Sequence, residues 1–223
     1  MRFRSVQLVV PCVLAAFLLT GCSALSNFSW SSLSPFNWFG SKIEVSDAGV
    51  GGLNGGTPLA QEPINQALNG NYRLRSGMGT TNGQITAFYQ ALDGNEIKLL
   101  ISGKPKAQVN RVEVMDAKIA SVWGVKIGDA FSAHYSKAFE VCQLAQGDDA
   151  RSVECVESQS KHVSYLYFGD WNGPEGLMPS DDILQTWHVS KIIWHAQARA
   201  RFLSSRPFLS HTYHAWRGNA PTS

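Results

Sequence analysis

The sequence predicts an α+β fold: an antiparallel sheet packed by two helices, set out as two similar helix-then-three-strand halves. Three observations carry this. Short runs of alternating apolar and polar residues recur between turn signals, as in half-buried strands. Two stretches carry apolar residues four apart, the spacing of one helix face. Each stretch follows a glycine-containing turn and precedes strand-like runs, over residues 43–116 and again over 117–194. Each helix would cover one face of the sheet.

The chain opens with a secretory pattern. Arg2 and Arg4 supply the positive end, and residues 6–19 supply an apolar stretch that is short for a bilayer span. Leu18-Leu19-Thr20-Gly21-Cys22 reads as a lipobox. Residues 1–21 are then a lipoprotein signal peptide, and Cys22 is the lipidated first residue of the mature protein. One acyl chain holds a membrane only marginally; the three on a bacterial lipoprotein cysteine, palmitate among them, hold it durably. Ser23 follows the cysteine. The usual inner-membrane retention residue there is Asp, so the expected site is the outer membrane, facing the periplasm.

Residues 22–41 read as a tether rich in Ser and Asn, with Phe28, Trp30, Phe36, Trp38 and Phe39 and no charge before Lys42. Two readings stand for its rings. Trp30 and Trp38 rest at the lipid headgroup level, where amphipathic rings are favoured, or residues 35–39 pack back on the domain.

The domain spans 42–194. Its first half begins with a short strand, Ile43-Glu44-Val45-Ser46, and a glycine-rich turn over 49–56. Thr57 and Pro58 have the character of a cap and first turn, although Pro63 moves the regular helix to near Gln61. Ile64 and Leu68 share a face, and Asn69-Gly70 stops the helix. Strands over 84–92 and 96–102 flank Asp93-Gly94, a strong hairpin signal. Residues 109–115 make a third strand, with Val112 and Val114 on one side and Arg111 and Glu113 on the other.

The second half enters through Gly124-Val125-Lys126-Ile127-Gly128, with Asp129 as helix cap. Phe131, Tyr135 and Phe139 recur every fourth residue, predicting a second helix that buries an aromatic stripe and ends at Cys142. A polar loop, Gln146-Gly147-Asp148-Asp149, leads to strands over 153–157 and 162–168, where Val163, Tyr165 and Tyr167 face one side. A Gly/Pro-containing loop covers 170–182. Ser180-Asp181-Asp182 reads as the cap and acidic first turn of a short helix over 183–187, and 187–194 closes as a strand. Residues 195–203 extend as a short basic helix, within a basic, disordered extension over 195–223. Contact of that extension with anionic lipid is the sharper alternative.

Cysteine usage follows from the leader. Cys12 leaves with the signal and Cys22 carries lipid. Cys142 and Cys155 remain as an even pair in an oxidising compartment, which predicts a structural disulfide. Closing so short a loop stabilises by ~3 kcal/mol in the chain-entropy model. The bond would pin the second helix to the strand after it.

Composition is that of a globular chain, 44% hydrophobic and 16% charged. The formal charge of +2 misleads, because Arg2, Arg4, Arg199, Arg201, Arg206 and Arg217 lie outside the domain. Residues 42–194 hold 13 basic against 17 acidic residues, a net of −4. That argues against nucleic acid, which wants a basic face.

Chemistry-bearing patterns are sparse. His134, His162 and His188 lack metal-ligand spacing, and once the cysteines are assigned no zinc set remains. Neither metal nor cofactor is expected. The turn over 49–56 lacks the Lys-Ser/Thr of a P-loop, and Asn54 breaks the dinucleotide spacing. There is no Gly-x-Ser-x-Gly. The most distinctive stretch is 170–182. A calcium reading through Asp170, Asn172 and Asp181 lacks glycine at the sixth place. An acid–base reading would pair Glu175 with Asp181. A binding surface is the better reading, with Trp171, Leu177 and Met178 rimmed by Glu175, Asp181 and Asp182.

Several stretches together resemble a known family: Leu-Thr-Gly-Cys22, Asn37-Trp38-Phe39-Gly40, Tyr72-Arg73-Leu74-Arg75-Ser76-Gly77-Met78, residues 124–128, the Cys142/Cys155 pair, Gly173-Pro174-Glu175-Gly176-Leu177-Met178-Pro179-Ser180-Asp181-Asp182 and Val189-Ser190-Lys191-Ile192-Ile193-Trp194. They resemble the RpoE-regulated lipoprotein family of enterobacteria, a domain of unknown function, over about residues 18–194. The resemblance implies an envelope lipoprotein made under the sigma-E stress response and carries no catalytic or ligand residue across. The expectation is a non-enzymatic interaction or envelope-maintenance module, membrane-held by its lipid, with an envelope protein as partner. The alternative is a small-ligand or lipid-binding protein.

Overall fold

The structure, a computed structural model, describes residues 42–198 apart from Asn82 and Glu175. It overturns the α+β expectation. Eight strands form one antiparallel sheet in the order β3-β4-β5-β6-β10-β9-β8-β7, and β1 (Val45–Ser46) pairs with β2 (Gly49–Val50) in a separate ribbon. The large sheet is built from β3 (Arg73–Thr81), β4 (Gln84–Asp93), β5 (Glu96–Gly103), β6 (Arg111–Val114), β7 (Cys142–Leu144), β8 (Val153–Val156), β9 (Val163–Phe168) and β10 (His188–His195). Among the described residues helix is confined to α1 (Gln61–Ala67), α2 (Asp181–Leu184) and two 3-10 turns. No helix among the described residues is long and apolar enough to cross a membrane.

Each half supplies a four-stranded meander, and the two meanders join through their last strands. In that seam β6 and β10 run antiparallel, with Val112 opposite Trp194, Glu113 opposite Ile193 and Val114 opposite Ile192. The backbone bonds around the seam repeat. Leu59 N–H donates to Ala107 O (2.9 Å), as Phe131 N–H does to Trp187 O (2.8 Å). Val109 N–H donates to Thr57 O, as Val189 N–H does to Asp129 O, both at 2.9 Å. Val109 and Val189 thus correspond, as do Glu113 and Ile193, each pair eighty residues apart (109 to 189, 113 to 193). Since Glu113 pairs with its own counterpart, a local two-fold passes between them.

The core lies on one face of the sheet. Leu99, Ile101, Val112, Val114, Val163, Tyr165, Tyr167 and Ile192 are buried there. Over the first meander they are covered by Val50, Leu53, Leu59 and the α1 residue Ile64, with Leu68 just beyond the helix. Over the second, Phe131, Leu184 and Trp187 take that place.

α1 begins at Gln61, as Pro63 implied, with Ala60 rather than Thr57 at its cap. Thr57 Oγ1 instead accepts the Asn54 N–H (3.0 Å), and Asp129 Oδ2 accepts the Lys126 N–H (2.8 Å) at the matching turn. The second helix does not form. One 3-10 turn, Phe131–Ala133, takes its place. Phe139 is 78% exposed, and Glu140 sits at φ 68°. The four-residue spacing of Phe131 and Tyr135 is real, but both rings pack on Tyr167 from a turn, so tertiary packing overrides the local period. Cys142 starts a strand, and the disulfide to Cys155 clips β7 to β8 rather than a helix to a strand. The bonds from Val156 N–H to Val141 O and from Ala145 N–H to Ser152 O make Cys142/Cys155 a non-hydrogen-bonded pair. Opposed Cα atoms are closest at such pairs, here 4.0 Å. β10 continues through His195, so the basic helix expected from 195 does not start there. Residues 199–223, the tether over 22–41 and Cys22 lie outside the described residues.

Candidate functional site

Three places concentrate polar chemistry or exposed apolar groups. The first is the 170–182 loop. Met178 and the half-buried Trp171 pack against the core, and Gly173 gives the Trp171 ring its room: a Cβ there would lie 2.0 Å from it. Trp171 Nε1 is buried without a partner among the described residues. Asp181 Oδ1 accepts the Ala138 N–H (2.8 Å), tying the loop before β7 to the start of α2. Leu177, 54% exposed, and Asp182 face solvent. Glu175 lies outside the described residues. The other five of the six residues singled out as a binding surface therefore divide: Trp171 and Met178 anchor the loop, Asp181 braces it, and Leu177 and Asp182 are open.

The second is a buried aromatic and carboxylate cluster over β9. Tyr165 donates to Glu157 Oε2 (2.8 Å), and its hydroxyl lies 3.2 Å from Ser121 Oγ. Glu157 Oε1 accepts the Ser158 hydroxyl (2.9 Å) and the Gln159 N–H (3.0 Å). Tyr135 donates to Val156 O (3.1 Å). His134 stacks on Tyr165 with ring centres 6.5 Å apart, and its Nε2 lies 3.4 Å from Asp129 Oδ2. Burial pushes the hydroxyls of Tyr135, Tyr165 and Tyr167 above the ordinary tyrosine value, with Glu157 adding to the shift. They stay protonated, and Tyr135 and Tyr165 serve as neutral donors. Glu157 is held by three donors, an arrangement that fixes loops to a sheet.

The third is a line of charges on the opposite face, along the seam. Asp149 meets Lys191 (2.9 Å), Lys191 meets Glu113 (3.0 Å), and Glu113 meets Arg111 (3.0 Å). Arg111 Nη1 lies 3.5 Å from His195 Nε2, which is 3.7 Å from Glu154 Oε1. Burial alone would raise the Glu113 carboxyl, but Arg111 and Lys191 outweigh it and hold it below 4.5. Ser164, fully buried, donates to Glu154. A nucleophilic serine needs an open approach for substrate as well as a base; this hydroxyl, fully buried, lacks the approach. No group of three or more metal-ligating side chains is gathered among the described residues.

Sequence reading anticipated that Arg111 and Glu113 share one side of a strand, and that Tyr165 and Tyr167 share one side of another. It missed that Lys191 and Asp149 complete the line, because those contacts span 78 and 42 residues. A signal did exist for the aromatic cluster: Gly128-Asp129-Ala130-Phe131 parallels Gly56-Thr57-Pro58-Leu59, which leads into a turn bonded to the sheet.

These features define a class: a disulfide-linked β protein whose large sheet is built from two joined meanders. Residues 27–196 match the family described as "Protein of unknown function (DUF1131)", and the chain belongs to that family. It is 51% identical over 177 residues to the uncharacterized protein YfeY of Escherichia coli (strain K12), a match covering 79% of this chain and 92% of that one. The crystal structure of uncharacterized yfeY from Escherichia coli is similar at a TM-score of 0.63 and 49% identity, over 68% of this chain and 99% of that chain.

Proposed function

We propose that the protein is an outer-membrane lipoprotein of the sigma-E envelope stress response, acting as a non-enzymatic interaction or envelope-maintenance module on the periplasmic side. The observation that carries the reading is the disulfide between Cys142 and Cys155, which belongs to an oxidising compartment. It agrees with the lipobox ending at Cys22. The lipid holds the domain at the membrane, and the exposed sheet and loops meet an envelope partner.

The test is fractionation. With Cys22→Ala, the protein should leave the membrane fraction and lose incorporated palmitate. Retention in the membrane after that change would sink the lipoprotein reading. A second reading, small-ligand binding, draws on the buried Tyr167 hydroxyl and Trp171 Nε1, which have no partner among the described residues. A bound small molecule seen by native mass spectrometry, lost with Tyr167→Phe, would favour it.

A further inference from the structure

The two edges of the large sheet differ. β7 is three residues long and is clipped to its neighbour by the disulfide. β3 is nine residues long, with seven of them exposed and the other two half-buried. Its pairing with β4 runs through nine register pairs without a bulge. Edge strands are ordinarily blunted by charge, proline, a bulge or a covering segment. From Ser76 to Thr81 this one has neither charge nor proline. The hairpin also projects: β5 pairs only with Ala87 and later residues of β4, so Gln84, Ile85 and Thr86 are paired on the β3 side alone.

Apolar groups flank this edge on both faces. Met78 and Ile85 are 66% and 62% exposed. Their register partners, Ala87 and Thr80, put them on the same side of the ribbon. On the other side Phe88, opposite Gly77, folds its ring over the glycine: a Cβ at Gly77 would lie 2.3 Å from it. The ring thus reaches across β3 toward the open edge.

We propose that β3 is a homotypic edge, which adds the β3 strand of a second copy antiparallel to itself about a two-fold at Gly77. Self-complementarity selects the second copy over an unrelated strand. In that register Arg73 falls opposite Thr81 and Arg75 opposite Gly79, so no like charges face each other. Leu74 meets Thr80, and Ser76 meets Met78. The two Met78 side chains become diagonal neighbours on one face, within reach of each other. On the other face two Phe88 rings close over the paired glycines. Outward-facing backbone groups of both strands, which pair with no strand among the described residues, are then paired. The domain already joins two meanders this way at the β6–β10 seam, and the dimer would extend the eight strands to sixteen. The proposal stands apart from the lipoprotein reading, since the edge forms with or without lipid on Cys22.

The experiment uses the full chain in detergent micelles. Sedimentation at matched solvent density should show a dimer at micromolar concentration. Met78→Lys places two ammonium groups across the axis and should weaken association by about tenfold or more. In hydrogen exchange, amides at 76–81 should slow as concentration rises, with no matching change in β7. A monomer at every concentration overturns the proposal. So does a dimer that Met78→Lys leaves intact, or one whose formation does not protect 76–81.

Discussion

In the β7–β8 hairpin the strands are three and four residues long, all four residues of β8 are buried, and a disulfide joins the pair. The β3–β4 hairpin at the other end has strands of nine and ten residues, mostly open to solvent, held by continuous backbone pairing. Short strands suffice where side chains are buried and a covalent link shrinks the unfolded ensemble. Long strands are needed where the ladder has little burial to help it. In one terminal hairpin stability comes from the core, in the other from register.

The largest disturbance to this contrast should come from Phe131. The ring is fully buried, with centres 5.1 Å from Tyr167 and 5.5 Å from Tyr135. Phe131→Ala should cost about 3–5 kcal/mol in urea unfolding, with β7–β8 amides losing exchange protection before those of β3–β4. A loss shared evenly by both ends would show that the halves do not differ as described.

Cys142→Ser with Cys155→Ser comes next, at about 3 kcal/mol. The change should appear as a lower urea midpoint, and an unchanged midpoint would mean that packing alone holds β7.

Acid tests the seam between the halves. The folded Glu113 carboxyl titrates below its ordinary 4.5. Its contribution is therefore complete above pH 4.5 and is lost as the pH falls through the lower folded value. Glu113→Gln should flatten the acid limb of the stability profile below 4.5, read by thermal melts across pH. An acid limb identical to that of the parent would remove Glu113 from the account. The smallest effect belongs to Met78→Lys, within about 0.5 kcal/mol of the parent in stability when both are compared as monomers at low concentration. A larger loss would mean that the exposed hairpin is supported by contacts beyond its own ladder.

Local signals made part of this fold legible. Asp93-Gly94 marked the β4–β5 hairpin because a two-residue turn carries its own chemistry, with Gly94 at φ 60°. Ile64, Leu68, Asn69 and Gly70 marked α1 and its end for the same reason. β3 was not legible, since Arg73-Leu74-Arg75-Ser76-Gly77-Met78-Gly79 has weak strand propensity and draws its order from β4. The stripe Phe131, Tyr135, Phe139 was misread because a period of four marks a helix only where the backbone is free to close its own bonds. Here the Phe131 N–H is taken by Trp187 O, 56 residues on. Of the loop over 170–182, sequence showed which residues are distinctive but not that Trp171 and Met178 turn inward.

One consequence of the seam concerns the order in which the protein is made. β10 is the last of the described strands in sequence yet lies in the middle of the sheet, bonded to β6 on one side and β9 on the other. A chain emerging from its N-terminus has both meanders short of their shared partner until residues 188–195 arrive. Until then β6 and β9 each expose a raw strand edge, the kind that seeks other chains. Synthesis must therefore run almost to the end of the domain before the fold can close, and a chain halted just before His188 would hold nearly all the strands and none of the closure.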